Sequence, residues 1–256
     1  MKRLNRIIKS DGKTVIVALD HGQSLSVNPA LNSTGAVLEK IIGAGADAVL
    51  VTYGTACRYA GIMRDVGLIV RIDGGGTSLA VKDAHYRLQY TVEDALRIGA
   101  DAVVCMGFPG TAFEAESMEN IALAVADGRK WGVPVVAEML PGAFGPEPPK
   151  NADNLILSAR IGCEYGSSII KTNYIGPKED FKKVVDASFA PVIILGGEKT
   201  KDLPSLFACI EDAMSVGAAG VAIGRNVWNH PEPDKVVAAL VDLVHNGKRA
   251  LDIVEF

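Results

Sequence analysis

Sulfur and aromatic rings are scarce in this 256-residue chain, which has four cysteines, two tryptophans, seven phenylalanines and six tyrosines. Cys57, Cys105, Cys163 and Cys209 include no close pair, a pattern that fits reduced thiols and argues against a disulfide framework or a thiolate metal site. An excess of either charge is also missing. The 26 Lys and Arg against 30 Asp and Glu leave a formal net charge of -4, with the two signs interspersed. Such a surface offers no footprint to nucleic acid or to an anionic membrane. No window approaches 18 consecutive apolar residues, and Met1-Lys2-Arg3-Leu4-Asn5-Arg6 has no apolar core behind its positive charges. A cytoplasmic, soluble protein is expected. No Pro-rich linker, low-complexity tract or charge block divides the chain, so one domain spanning 1–256 is expected.

What is present is apolar and glycine-rich: 48% hydrophobic residues and 27 glycines, enough for a large core. A phrase recurs in Gly45-Ala46-Asp47-Ala48-Val49 and Gly99-Ala100-Asp101-Ala102-Val103, with the variant Gly217-Ala218-Ala219-Gly220-Val221. Each reads as a helix C-cap glycine followed by the opening of a buried strand. Short continuous β-branched runs predict strands at Thr14–Asp20, Ala48–Tyr53, Leu68–Asp73, Ala102–Met106, Val135–Leu140, Ser168–Thr172, Val192–Leu195 and Gly220–Ile223. Amphipathic stretches lie between them: Gly35–Ile42, Thr91–Ile98, Glu114–Trp131, Asn151–Cys163, Lys178–Ala187, Leu203–Val216 and Asp234–His245. Alternation of this kind implies parallel βαβ units, and eight units in about 250 residues match an α/β protein of the (β/α)8 TIM-barrel class. An open doubly wound sheet is the rival. It usually carries a Gly-rich fingerprint after its first strand, where this chain has Ala18-Leu19-Asp20-His21-Gly22.

In a barrel the chemistry lies at the C-terminal ends of the strands. Lys171 ends the apolar run Ile169-Ile170-Lys171, and an ammonium in apolar surroundings sheds its proton rather than carry the desolvation cost. A nucleophilic amine for Schiff-base chemistry is one reading. A lysine snorkelling to water, or paired with a carboxylate, is the other. Asp20 is read as a proton shuttle at the barrel mouth, or else as a turn cap; His21 is a substrate-side or loop residue. Glu138, within Val135-Val136-Ala137-Glu138-Met139-Leu140, either points inward as an acid or base or faces outward. Gly196-Gly197 with Lys199, and Gly224-Arg225 ahead of a short helix at Asn226–Asn229, follow the seventh and eighth strands, where many barrels bind phosphate. A phosphorylated substrate is therefore expected. Gly74-Gly75-Gly76-Thr77-Ser78-Leu79 lacks the lysine of a P-loop and reads as a substrate loop, and the Pro- and Gly-rich Pro141–Pro149 as an active-face loop. Trp131 and Trp228 read as core, and Cys105 as a pocket-lining candidate.

Together, Leu19-Asp20-His21-Gly22, Gly45-Ala46-Asp47-Ala48-Val49, Gly76-Thr77-Ser78-Leu79, Lys171-Thr172, Gly196-Gly197 and Gly224-Arg225 resemble the archaeal-type class I fructose-bisphosphate aldolases and their relatives. Those relatives include the aminodideoxyheptulosonate synthases and the phospho-autoinducer-2 thiolase. The resemblance implies that Lys171 is the Schiff-base lysine, that Asp20 assists proton transfer, and that Gly196, Gly197, Gly224 and Arg225 grip the substrate phosphate. It further implies no metal, no cofactor, and a homo-oligomer, a pentamer or decamer. One position departs. Where the aldolase and the heptulosonate synthase carry a proton-donating tyrosine before Pro-Arg-Gly, this chain has Leu140-Pro141-Gly142-Ala143. Leu140 donates no proton, and Glu138, two residues back on the same face, is the candidate replacement. The leading expectation is a metal-independent aldolase acting on a phosphorylated ketose. A transaldolase- or thiolase-like transferase using the same lysine, and a non-catalytic phosphosugar-binding barrel, are the alternatives.

Overall fold

The computed structural model describes residues 2–24, 28–77, 86–196 and 202–253. Eight parallel strands form the centre: β1 (Thr14–Ala18), β2 (Ala48–Thr52), β3 (Gly67–Arg71), β4 (Ala102–Gly107), β5 (Val135–Met139), β6 (Ile169–Asn173), β7 (Val192–Leu195) and β8 (Gly220–Ile223). Each pairs with its sequence neighbour, and β8 returns to β1 to close the barrel. Between and after them run α1 (Thr34–Gly43), α2 (Tyr53–Arg58), α3 (Val92–Arg97), α4 (Glu114–Trp131), α5 (Ala152–Glu164), α6 (Lys178–Ala187), α7 (Leu203–Ser215) and α8 (Pro233–Val244). The expected α4 and α6 are found residue for residue. Among the described residues, no helix is long and apolar enough to cross a membrane.

Strand periodicity sorts the side chains. Val15, Val17, Val49, Val51 and Val103 face the helices, whereas Ile16, Leu50, Ile69, Val104, Val136, Ile169 and Ile193 fill the barrel interior. Burial of each large aliphatic is worth about 1.5–3 kcal/mol. Ile7, from the N-terminal turn Leu4–Ile7, joins the interior cluster.

The recurring Gly-Ala-Asp phrase has a single structural job. Gly45 and Gly99 adopt φ of 99° and 91°, as does Gly217 at 100°, a left-handed turn that ends the preceding helix. The aspartate then accepts a backbone N–H at the start of the neighbouring strand: Asp47 from Val15 at 2.7 Å and Asp101 from Leu68 at 3.0 Å. Ala219 takes that place in the third copy and has no carboxylate to offer. Its own N–H donates to the Val192 carbonyl at 2.7 Å.

One element was missed and two expectations are corrected. The helix α2 was not anticipated, because Tyr-Gly-Thr-Ala-Cys-Arg buries only Ala56 and is too short to show a period; Thr52 caps it by accepting from Thr55 N at 3.3 Å. The turn expected at Asn226–Asn229 runs instead from Arg225 to Trp228, with Gly224 as its N-cap. Trp131 is exposed at the end of α4 rather than core, its ring lying 5.1 Å from Lys130 Nζ; Trp228 is buried as expected.

Candidate active site

Two residues above the apolar interior layer, the inward positions change character. Ile69 is followed on its face by Arg71 and Asp73, Val136 by Glu138 and Leu140, and Ile169 by Lys171 and Asn173. Arg71, Glu138, Leu140, Lys171 and Asn173 line a cavity of about 400 Å³ at the C-terminal mouth, with Ala18, Asp20, His21, Met106, Gly196, Gly224 and Arg225. The parity left open for Glu138 is resolved. It faces inward, directly opposite Lys171 in the β5–β6 register.

Lys171 is 4% exposed and Glu138 6%, and Lys171 Nζ lies 2.8 Å from Glu138 Oε1. The other Glu138 oxygen accepts from Arg71 Nη2. Arg71, 1% exposed, also donates from Nε to Asp20 and from Nη1 to Asp73 Oδ1 at 2.8 Å. The second oxygen of Asp73 accepts the Met106 N–H at 2.7 Å. The lysine is thus paired with a carboxylate, one of the two situations that the sequence leaves open. It belongs to a buried set of two cations and three carboxylates.

The electrostatics follow from these contacts. Burial pushes the Asp20 carboxyl up, but Arg71 and Lys171 outweigh it and hold the group below the ordinary carboxylate range. For Asp73 burial prevails over Arg71, and the carboxyl lies above that range. Arg71 itself is held well above its usual value: burial opposes the charge, and Asp20, Asp73 and Glu138 more than restore it. Burial and the neighbouring Arg225 lower His21, whose ring lies 5.7 Å from that of Trp228.

The rim beside β7 and β8 is built from backbone. Gly224 approaches the Ala18 carbonyl so closely that a Cβ there would stand 2.7 Å from that oxygen. Trp228 Nε1 donates to the same carbonyl at 2.9 Å, and Asn226 Nδ2 to Gly196 O at 3.2 Å. Gly196, Gly224, Arg225 and His21 are brought together as expected; Gly197 and Lys199 lie outside the described residues. Across the mouth, Leu140, Ala143 and Phe144 form an apolar wall beside Lys150, so the Pro141–Pro149 loop does serve the active face. Leu140 sits where the tyrosine would be expected and packs in a cluster with Tyr86, Met106 and Phe108.

Arg71 and Lys150 escaped the sequence reading. Arg71 had a signal, since it interrupts Leu68-Ile69-Val70 with a charge at the parity of Asp73. Asn173 continues the face of Lys171, and its buried Oδ1 has no hydrogen-bond partner among the described residues. Cys105 does not line the cavity: it packs with the outward-facing strand residues against the helices, and burial pushes its thiol well up. Asp73 and Gly74 pair antiparallel with Leu88 and Arg87, while Ser78 and Leu79 of the following loop lie outside the described residues.

A closed parallel barrel whose mouth holds an amine among carboxylates has the frame of a class I, Schiff-base-forming aldolase, and enzymes of that class match this chain along nearly its whole length. The chain belongs to the DeoC/LacD family of aldolases, whose profile matches residues 14–230. It is 39% identical to a 2-amino-3,7-dideoxy-D-threo-hept-6-ulosonate synthase of Halobacterium salinarum, over 95% of this chain and 91% of that protein. An Archaeoglobus fulgidus synthase of the same name is 34% identical, over 100% of this chain and 94% of that protein. Among solved structures, an archaeal fructose-1,6-bisphosphate aldolase with its catalytic lysine bound to a carbinolamine intermediate superposes with a TM-score of 0.87 at 31% identity, over 95% of this chain and 98% of that one.

Proposed function

We propose that this aldolase cleaves or forms a carbon–carbon bond in a phosphorylated ketose or related sugar phosphate through an imine on Lys171. One observation carries the reading: the Lys171 amine, buried at the cavity floor, lies 2.8 Å from the carboxylate opposite it on β5. A nucleophile within hydrogen-bond reach of its own base is what covalent carbonyl catalysis requires. In this scheme the ammonium gives one proton to Glu138, and the nitrogen lone pair attacks the ketone carbon while the carbonyl π electrons move to oxygen. Glu138 and Asp20 then relay protons from nitrogen to that oxygen, which leaves as water. Of the three ammonium hydrogens, one stays on the iminium nitrogen and two depart with the water. The iminium next draws in the electrons of the adjacent C–C bond as a carboxylate removes the proton of the hydroxyl on the bond's far carbon. An aldehyde is released, an enamine remains, and the reverse sequence forms the bond.

Glu138 takes the proton-transfer role because Leu140 has no proton to give. Gly196, Gly224 and Arg225 supply bare peptide groups and a guanidinium for a phosphate, with Gly197 a further contact implied by the resemblance and Lys199 and His21 further contacts read from the residues. Asn173 Oδ1 is an acceptor for a substrate hydroxyl. The likeness to heptulosonate synthases and to aldolases of fructose 1,6-bisphosphate supports a sugar-type carbonyl compound. A screen of ketose phosphates for aldehyde release tests this. At least one should be cleaved by the wild type and not by Lys171→Met, while inorganic phosphate raises the Tm of both proteins equally. Turnover that survives Lys171→Met would refute the reading.

The aliphatic Leu140 favours a second reading, a transaldolase- or thiolase-like transfer from the same lysine. Its mark is product that forms only when an acceptor aldehyde or coenzyme A is supplied.

A further inference from the structure

We propose that Arg71 is a positioning residue for this reaction, fixing Glu138 with one oxygen on the Lys171 amine and Asp20 beside it through each proton transfer. The inference rests on the imine reading above and adds the residue that aims its base.

The guanidinium is a rigid plane of five N–H donors. Here each of its three nitrogens serves a different carboxylate: Nε Asp20, Nη1 Asp73 and Nη2 Glu138. The plane is itself anchored, because the Asp73 oxygen that Arg71 does not use accepts the Met106 N–H of β4 at 2.7 Å. A continuous set of contacts therefore runs from the β4 backbone through Asp73, Arg71 and Glu138 to the Lys171 nitrogen. Two of these side chains also differ in what the reaction does to them. Lys171 loses its charge at the free-amine and carbinolamine stages, whereas a guanidinium keeps its proton throughout. At those stages Arg71 is the cation that remains beside Glu138.

Among the described residues, the titratable groups that face Arg71 are Asp20 beyond β1, Asp73 beyond β3 and Glu138 on β5, with Lys171 on β6 joined through Glu138, while Cys105 on β4 turns to the helices. Burial pushes the Cys105 thiol well above its ordinary range. Asp20, which Arg71 helps to hold below the ordinary carboxylate range, is thus the group whose protonation the loss of Arg71 would change.

The test follows the rate at which dihydroxyacetone phosphate and borohydride trap Lys171, from acid to alkaline pH. In Arg71→Gln the charge and the fork are gone, so the acid limb moves up by about one to three pH units. The plateau rate falls about a hundredfold through lost alignment, while half-saturation by dihydroxyacetone phosphate is unchanged. Arg71→Lys returns the charge without the fork: the limb returns toward wild type and the plateau stays low. Three results overturn the proposal: a limb and plateau in Arg71→Gln that superimpose on wild type, a plateau fully restored by Arg71→Lys, or half-saturation lost in proportion to rate, the mark of a purely structural role. Should Arg71→Gln fail to fold, Arg71→Lys alone decides between a low plateau at wild-type half-saturation and a wild-type plateau. Absence of a Lys171 adduct in the wild type removes the imine reading, and this inference with it; an adduct indifferent to Arg71 removes the inference only.

Discussion

Glu138 stands between two cations, with one oxygen on Lys171 and the other on Arg71. Glu138→Gln keeps the shape and one carbonyl oxygen but cannot take up a proton. We expect its trapping and turnover rates to fall by about a hundredfold to ten-thousandfold. Its Tm should change far less than that of Glu138→Ala, which strips two buried cations of a partner. Single-turnover kinetics and thermal unfolding check the pair of expectations. A Gln variant within tenfold of wild type would hand the proton transfers to Asp20. Lys171 itself was legible, because a charge that ends the apolar run Ile169-Ile170 at a strand terminus stands out whichever way it points. Glu138 was legible only to its parity, since Val136 and Leu140 show which residues share its face but not which face that is. Arg71 was missed for a related reason. Asp73 two positions on marked the end of the strand, so the arginine read as part of the apolar run rather than as the hub of the site.

At the level of elements, the barrel depends on backbone fits that tolerate little. A methyl group at Gly224 would press on the Ala18 carbonyl that Trp228 also holds. Gly224→Ala is expected to disturb the β8 rim more than the amine, raising the concentration of dihydroxyacetone phosphate needed for half-maximal trapping while the plateau rate persists. Titration of the trapping rate measures both. At the opposite face, His245 at the end of α8 bridges Asp11 at 2.7 Å and Asp47 at 2.7 Å. Burial lowers its pKa, but the two carboxylates prevail and raise it above the ordinary histidine value. A raised folded-state pKa contributes stability that is full below the unfolded value of about 6.5 and is lost as pH rises through the folded value. The Tm gap between wild type and His245→Gln should accordingly be widest in mild acid and close on the alkaline side. A gap independent of pH would show that the bridge is held by neutral hydrogen bonds alone. Elements with a full period, such as α4 and α6, were legible to the residue. The one-and-a-half turns of α2 were not, because six residues with one buried position carry no period.

For the molecule as a whole, the chemistry is assembled by closure of the barrel. The Arg71 contacts to Asp20 and Glu138 join residues 51 and 67 positions apart in sequence. Such pairs leave no trace in local spacing, which is why the strands and the amine could be read from the chain and the charge network could not. Closure also explains how so many charges persist in the interior: breaking a buried pair costs about 3–5 kcal/mol, so each member stabilises the others' retention. Lys171→Met leaves Glu138 its Arg71 partner, and the folded barrel should survive the substitution that removes its proposed nucleophile. The most direct measurement is therefore peptide mapping by mass spectrometry after incubation with dihydroxyacetone phosphate and borohydride. The account predicts one reduced adduct, on Lys171 in the wild type, and none in a folded Lys171→Met protein. An adduct on another lysine, or none across a set of ketose phosphates that the wild type turns over, would contradict it.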